Sequence, residues 1–176
     1  MKLIAETNGI RRLIRHRRGL AAMVAKNFEH RAKSCLTCET PGACCLDAHF
    51  VNVRITRIEA AAIRGALDGL DPETHNRDET RLQRSITRFG LAETGNDAAK
   101  TYACPLFEKR AGCLIHDTAK PAPCIMHACY ERSSDLPPGE LLDDEELWTA
   151  DLNRRVYGES AELRPLPVAV ARDSDV

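Results

Sequence analysis

The order of hydrophobic and polar residues along the chain predicts a mainly helical protein with little or no sheet. Apolar residues recur at helical spacing between residues 10 and 32, which predicts a first helix there. The predicted apolar stripe consists of Ile10, Leu13, Ile14, Ala21, Val24 and Phe28. Arginines 11, 12, 15 and 18 lie largely off this stripe, so the helix has a basic face.

A short strand-like segment and a second helix follow the first cysteines. Residues 49–56, "HFVNVRIT", alternate enough to predict a short strand. Thr56 and Glu59 then have the spacing of a capping box, in which the hydroxyl caps a backbone N–H and the glutamate reaches back. The helix "RIEAAAIRGALDGL" is therefore predicted to begin after Thr56 and to end near Gly69.

Two more helices have clear boundaries in the sequence. Pro72 suits the first turn of a helix that ends before Gly90. Residues 140–158 have acids early, arginines late and Gly158 at the end, which complements the helix dipole. The last residues, "LRPLPVAVARDSDV", are predicted to form an extended tail.

Cysteine content and the absence of an apolar leader together suggest what the thiols do. The chain has 176 residues, eight of them cysteine, and only 5% aromatic residues. Charge returns at Glu6, so we find neither a signal-peptide pattern nor a membrane span and expect a cytoplasmic protein with no membrane partner. Disulfides are normally reduced there, so two clusters of thiols favour metal binding over cross-links.

The eight cysteines are all candidate metal ligands. They are Cys35, Cys38, Cys44 and Cys45 in a first group, and Cys104, Cys113, Cys124 and Cys129 in a second. Each group of four could complete a tetrahedral site, and a C-x2-C pair lets two thiolates face one ion. His49, His116 and His127 are alternative ligands, with His127 the best placed.

The adjacent pair Cys44-Cys45 bears on the kind of metal. In an extended chain, neighbouring side chains point to opposite sides, so the two thiolates would not easily share one ion. They could instead serve two centres, bridge two metals or ligate different irons, or one of them could simply pack. This favours an iron–sulfur cluster over zinc or iron ions, which remain the alternatives.

Three segments resemble the YkgJ-type cysteine-cluster family, described as zinc- or iron-chelating domains. They are "CLTCETPGACC", "VNVRITRIEAAAI" and "CPLFEKRAGCLIHDTAKPAPCIMHAC", between residues 35 and about 130. The family pattern has a C-x2-C-x3-CC start, a Thr-x-x-Glu helix, a Cys-Pro-aliphatic-Phe motif and later cysteines. The resemblance implies metal binding by the eight cysteines and does not imply one reaction.

The chain departs from the family pattern at three places. Five residues rather than three precede the CC pair, His116 stands where tyrosine is usual, and Lys120-Pro121 replaces Arg-Pro. One branch of the family resembles flagellin lysine methylases, which pair this motif with an iron–sulfur centre and with S-adenosylmethionine. This chain is much shorter and has no obvious Gly-rich cofactor loop, so that activity does not transfer.

Charge divides the chain into three segments. Residues 1–34 have nine Lys/Arg against two Asp/Glu, and residues 135–176 have four against eleven. We predict a basic N-terminal helix (1–34), a cysteine-cluster domain (35–134) and an acidic C-terminal helix and tail (135–176) packed on the same domain. The basic face could bind nucleic acid. A solvated face, neutralised by the acidic tail or by a protein partner, is favoured because interleaved aromatic residues are missing.

These observations leave three functional hypotheses. The favoured one is a metal-binding module in which a metal centre staples a small helical domain poor in aromatics. The second is an enzyme with an open coordination position, for which Asp47, Glu59 and Asp117 are candidate acids or bases. The third is a zinc-stabilised nucleic-acid-binding module that uses the arginine face.

Overall fold

The computed structural model describes residues 3–33, 39–46, 51–91, 100–109 and 111–171. Within these ranges the chain is mainly helical with little strand, which confirms the predicted fold class. The helices are α1 (Glu6–Asn27), α2 (Ala43–Leu46), α3 (Arg57–Leu67), α4 (Pro72–Phe89), α5 (Ala122–Met126), α6 (Gly139–Tyr157) and α7 (Leu166–Val170). None of the helices in these ranges is both long and apolar enough to cross a membrane.

The strands are short and antiparallel. They are β1 (Ala32–Lys33), β2 (Arg54–Ile55), β3 (Phe107–Glu108), β4 (Gly112–Cys113), β5 (Cys129–Tyr130) and β6 (Arg164–Pro165). β1 pairs with β5, β2 with β6 and β3 with β4. The predicted strand at residues 49–56 is thus reduced to β2, and residues 49 and 50 lie outside the described ranges.

Helix α1 begins and ends earlier than the sequence predicts. It covers Glu6–Asn27 rather than residues 10–32, and a single 3-10 turn, Glu29–Arg31, follows it. Its buried positions are Gly9, Leu13, Arg17, Leu20 and Val24. These positions are three or four apart, as an amphipathic helix requires, but the stripe contains an arginine that the apolar pattern did not include.

The predicted helix ends are confirmed by their capping contacts. The Thr56 hydroxyl accepts from the Glu59 N–H at 3.4 Å, and the Glu59 carboxylate accepts from the Thr56 N–H at 2.9 Å. Asp71 caps α4 by accepting from the Thr74 N–H at 3.0 Å. Gly90 ends α4 with φ +59°, a conformation that glycine adopts without strain.

The C-terminal segment is not the extended tail that the sequence predicts. After β6 the chain forms α7, which packs against α3 and α4 and buries Leu166 and Val170 to 2% exposure each. The hydroxyl of the fully buried Tyr102 accepts from the Leu166 N–H at 3.2 Å and donates to the Val53 carbonyl. Burial of these apolar side chains therefore holds a segment that has weak local helix signals. Residues 172–176 lie outside the described ranges.

The core has three apolar clusters, and they contain few aromatic residues. The largest surrounds Tyr102 and Leu106 and joins α3, α4 and α7. A second joins α1, α3 and α6 around Ile58. A third joins α1, α5 and the start of α6 around Val24 and Ile125. Helix α1, from the basic N-terminal segment, thus belongs to two of the three clusters.

A buried arginine ties α1 to α3 and α6. The Arg17 guanidinium is 6% exposed and donates to Glu145 at 2.5 Å, to Glu59 at 3.1 Å and to Thr149 at 2.6 Å. Nearby, the Asn153 amide oxygen accepts from the backbone N–H at the start of α3. Glu59 and Glu145 therefore share one guanidinium inside the protein as a common cationic partner.

Arg17→Ala is expected to lower the free energy of unfolding by about 3–5 kcal/mol, because two buried carboxylates lose their counter-charge. Urea unfolding followed by circular dichroism measures the change. Arg18→Ala is the matched control, because the next side chain is exposed and should change the free energy by less than ~0.5 kcal/mol. A loss for Arg17→Ala below ~1 kcal/mol, the value of an exposed ion pair, would contradict the described network.

Two glycines in α1 should respond oppositely to alanine. At Gly9 a Cβ would lie 2.5 Å from Val156 Cγ2 and 2.8 Å from Ile58 Cδ1, so overpacking should cost about 1–3 kcal/mol. At Gly19 a Cβ would meet nothing within 4 Å, so alanine should stabilise the helix by about 0.5–1 kcal/mol. Thermal unfolding of the two variants checks the signs; stabilisation by Gly9→Ala would disprove the close contact of α1 with α6.

Candidate metal centre

The adjacent cysteines of the first group lie on one helical turn. Cys44 and Cys45 belong to α2, and their thiols are joined by a hydrogen bond. The expectation that the pair points to opposite sides is wrong, because it assumed an extended chain and the backbone here is helical. Both sulfurs therefore face the same neighbourhood.

Close packing holds α2 against the segment that carries the second group. Gly42 precedes α2 with φ +82°, and a Cβ on it would lie 1.9 Å from Cζ of the Phe107 ring. The backbone N–H of Cys104 donates to the carbonyl of Cys45 at 2.7 Å. The CC pair and Cys104 are thus joined by the backbone as well as by an aromatic ring.

Cys104 and Cys113 flank the β3–β4 hairpin. Cys113 lies opposite Phe107 in the hairpin register, and Cys104 is three residues before Phe107. The sulfur of Cys104 accepts hydrogen bonds from the backbone N–H groups of Leu106 and Phe107, and that of Cys113 accepts one from Ile115. Such N–H groups favour the thiolate form, which is the form that binds metal.

Cys124 comes from α5, which the third apolar cluster holds against α1. Its neighbours Ala122, Ile125 and Met126 are all buried in that cluster. The Cys124 thiol lies within electrostatic reach of both Cys104 and Cys113. Three separate segments, α2, residues 104–113 and α5, thus carry five cysteines that are linked pairwise by hydrogen bonding or electrostatic reach: Cys44, Cys45, Cys104, Cys113 and Cys124. We call these five the cysteine cluster.

Burial and repulsion between thiolates raise the pKa of most thiols in the cluster. Burial raises the pKa of Cys104 to about 11 and that of Cys124 to about 12, and neighbouring thiolates raise both further. Burial also raises the pKa of Cys113. The pKa of Cys45 is raised by the hydrogen bond that its thiol donates to Cys44, by burial and by the charges of Cys44, Cys104 and Cys124. Several thiolates can coexist here only beside a compensating positive charge.

Cys44 is the exception, because its pKa is lowered and a histidine contributes to the lowering. The hydrogen bond from Cys45, and then the one from His127, lower the pKa of Cys44 to about 4. His127 directly follows α5 and is exposed. His116, by contrast, lies 4.0 Å from Asp117 and has a side chain 62% exposed. Of these two alternative ligands, the fold therefore brings His127 to the cluster by contact with Cys44.

The other candidate cysteines are one strand residue and two residues outside the described ranges. Cys35 and Cys38 lie outside them, as do His49 and Asp47. Cys129 belongs to β5, where it is opposite Lys33 of β1. The six described cysteines form no disulfide. Because Lys33 is two residues before Cys35 in the sequence, the β1–β5 pair joins the two halves of the cysteine pattern at a second point.

Two charged residues near the cluster have different partners. The Glu59 carboxylate reaches Cys124 electrostatically, but its oxygens accept from Thr56 and Arg17, so it has a structural role. The charge of Lys120 lowers the pKa of both Cys113 and Cys124. In the sequence, Lys120 was noted only as one of the departures from the pattern of the resembled family.

The described residues contain no group of three His, Cys, Asp or Glu side chains arranged as metal ligands. Two of the eight predicted ligands are outside those residues. Comparison of the chain with protein-family models, with curated proteins and with solved structures found no match. The site therefore has to be interpreted from its own chemistry.

Gly42→Ala should destabilise the protein more than Gly112→Ala. Both glycines have positive φ, +82° and +88°, so both alanines pay about 1–2 kcal/mol of backbone strain. Only at Gly42 does the new Cβ also overlap the Phe107 ring, at a further cost of about 1–3 kcal/mol, whereas at Gly112 it meets nothing within 4 Å. Urea unfolding of both variants measures the difference, and equal losses would show that Phe107 does not hold α2.

Proposed function

We propose that this protein is a metal-binding module whose cysteine thiolates hold an iron–sulfur cluster or zinc or iron ions. The observation that carries the proposal is that five cysteines from three separate segments each lie within hydrogen-bond or electrostatic reach of at least one other. The proposed ligands are drawn from the eight cysteines of the sequence, with the cysteine cluster as their centre. The proposal agrees with the resemblance to the YkgJ-type family.

The raised pKa values of the thiols bear on metal binding. They keep most of the thiols protonated at neutral pH, so several thiolates would form here only beside a cation. A cation would stabilise the thiolate forms, and metal binding would then add to the stability of the fold. The metal would join α2, the β3–β4 hairpin and α5, a region whose core has few aromatic side chains.

The donor set fits soft metals. Thiolates select zinc, copper(I) and iron–sulfur clusters over hard cations such as magnesium or calcium. The N–H groups of Leu106, Phe107 and Ile115 that point at Cys104 and Cys113 would tune a bound centre, because hydrogen bonds to ligating sulfurs shift its potential. Because the Cys44 and Cys45 thiols are neighbours, one ion, two ions or a cluster could use both.

The proposal also has a consequence for the cellular compartment of the protein. Thiolate ligands require reduced cysteines, so we propose a reducing, cytoplasmic environment. An open coordination position, which an enzyme would need, stays a prediction from the sequence.

The test is metal and sulfide analysis with a visible spectrum on the full chain purified without oxygen. An iron–sulfur centre gives iron, acid-labile sulfide and broad absorption near ~400 nm, whereas zinc gives a colourless stoichiometric complex. Cys104→Ser and Cys124→Ser are each expected to lower the bound metal per chain. His116→Ala is the control and should leave it unchanged, because that side chain is exposed and faces Asp117.

Reconstitution separates loss of ligands from loss of folding. The metal-free protein is titrated with Zn²⁺, or with Fe²⁺ and sulfide, while circular dichroism follows the helices. The expected result is stoichiometric binding that raises the unfolding temperature of the wild type and does so less in Cys104→Ser. A wild-type chain that binds neither metal, or serine variants that keep full stoichiometry, would overturn the proposal.

A further inference from the structure

A groove between α1 and α6 has features that the metal site does not use. It has a cavity volume of about 620 Å³ and lies on the arginine face of α1. Its main lining residues are Arg12, Arg15, His16, Gly19, Trp148 and Arg155. We call it the α1–α6 groove.

The groove has an excess of positive charge. Arg12, Arg15 and Arg155 line it against a single carboxylate, Asp151, although the whole chain has a net charge of -1. Asp151 is bound chiefly by Arg154 at 2.6 Å and lies 3.8 Å from Arg155. Guanidinium groups bind phosphate oxygens through paired hydrogen bonds. The groove therefore favours a phosphorylated ligand.

Two of these arginines are available to a ligand. Arg12 and Arg15 are exposed and have no hydrogen-bond or ion-pair partner among the residues that the structure describes. The acidic C-terminal segment compensates Arg17 through Glu145 but not these two. Side chains three apart on a helix are neighbours, about 5–6 Å between Cβ atoms, so both can reach one phosphate or two successive ones.

The fold also supplies the aromatic surface that the arginine-rich sequence lacks. The rings of His16 and Trp148 stack with centroids 3.7 Å apart and planes at 11°. His16 Nε2 lies 2.9 Å from both carboxylate oxygens of Glu145, which fixes the orientation of the imidazole. The His16 side chain is still 32% exposed, and both rings line the groove. A planar base can stack on such a pair without sequence selectivity.

We propose that the α1–α6 groove binds a nucleotide unit, with its phosphate on Arg12, Arg15 and Arg155 and its base against the His16–Trp148 pair. The nucleotide could be free or part of single-stranded RNA or DNA, since both offer the same phosphate and base. The proposal rests on residues outside the cysteine cluster and is independent of the proposed metal function.

The chain provides its own probe, because Trp148 is its one tryptophan. AMP and a single-stranded 12-nucleotide RNA are titrated into the full chain while tryptophan emission is recorded. Saturable quenching by either supports the site. Quenching by AMP assigns it to free nucleotides, and quenching by the RNA alone assigns it to single strands.

Arg12→Ala with Arg15→Ala should weaken binding at least about tenfold, since each charged hydrogen bond is worth more than that factor. For the RNA, the slope of log affinity against log salt should fall by about 1.4, at about 0.7 per lost phosphate contact. Arg84→Ala with Arg88→Ala is the matched control, because it removes two exposed arginines from α4 and should change affinity less than about twofold.

A second variant blocks the groove without removing charge. Gly19 lines it and has open space at the Cβ position, so Gly19→Gln should keep the fold and reduce binding. Metal content should equal that of the wild type in all these variants, which separates this proposal from the metal function. Absence of quenching by both ligands would overturn the proposal, as would unchanged affinity in the double arginine variant. It would also be overturned if inorganic phosphate or poly-glutamate bound as tightly as the nucleotide and the ligands left the tryptophan emission unchanged.

Discussion

The buried Arg17 guanidinium is the interaction on which the arrangement of the long helices depends. It lies on the core-facing stripe of α1 and joins that helix to Glu59 of α3 and to Glu145 of α6. The two carboxylates that it binds have other roles as well. Glu59 completes the capping box of α3, and Glu145 holds the imidazole of His16. One side chain therefore fixes the start of α3 and the aromatic pair of the α1–α6 groove at the same time.

Helix α1 also packs against the helix that carries one residue of the cysteine cluster. Beyond Arg17, Leu20 and Val24 pack on the buried residues of α5, the helix that carries Cys124. Cys104 and Cys113 are partly buried against the largest apolar cluster. The thiols are thus positioned by apolar packing from two directions, while N–H groups of the β3–β4 hairpin point at their sulfurs. Such a frame could present thiolates to a metal with little rearrangement.

The two proposed sites depend on different physical interactions. The cysteine cluster gathers groups that repel one another once ionised, and it would gain stability from a soft cation. The α1–α6 groove leaves guanidinium groups without carboxylate partners beside a fixed aromatic stack, and it would gain from an anion with a planar ring. Within the described ranges the two sites share no helix, so a protein with both would couple metal content and nucleotide binding only through the packing of α1 and α6 on α5.

The sequence by itself determined the features that depend on neighbours along the chain. The mainly helical class, the Thr56–Glu59 capping box and the ends of α4 follow from local hydrogen bonding and backbone preference, so they could be predicted. The cysteine pattern also predicted eight candidate ligands, because metal chemistry limits the donor types, and their role stays a prediction. Boundaries of α1 were less well predicted, since helix ends depend on contacts as well as on pattern.

Only the tertiary structure decided what comes together from distant segments. It placed Arg17 inside, where the guanidinium pairs with two carboxylates although the predicted apolar stripe does not include it, and it folded the C-terminal segment into α7 against the core. It brought Trp148 onto His16, which supplied a stacked aromatic surface to a basic face without interleaved aromatic residues. It also put Cys44 and Cys45 on a helical turn beside His127. Each of these depends on burial and pairing between residues far apart in sequence, which local spacing does not encode.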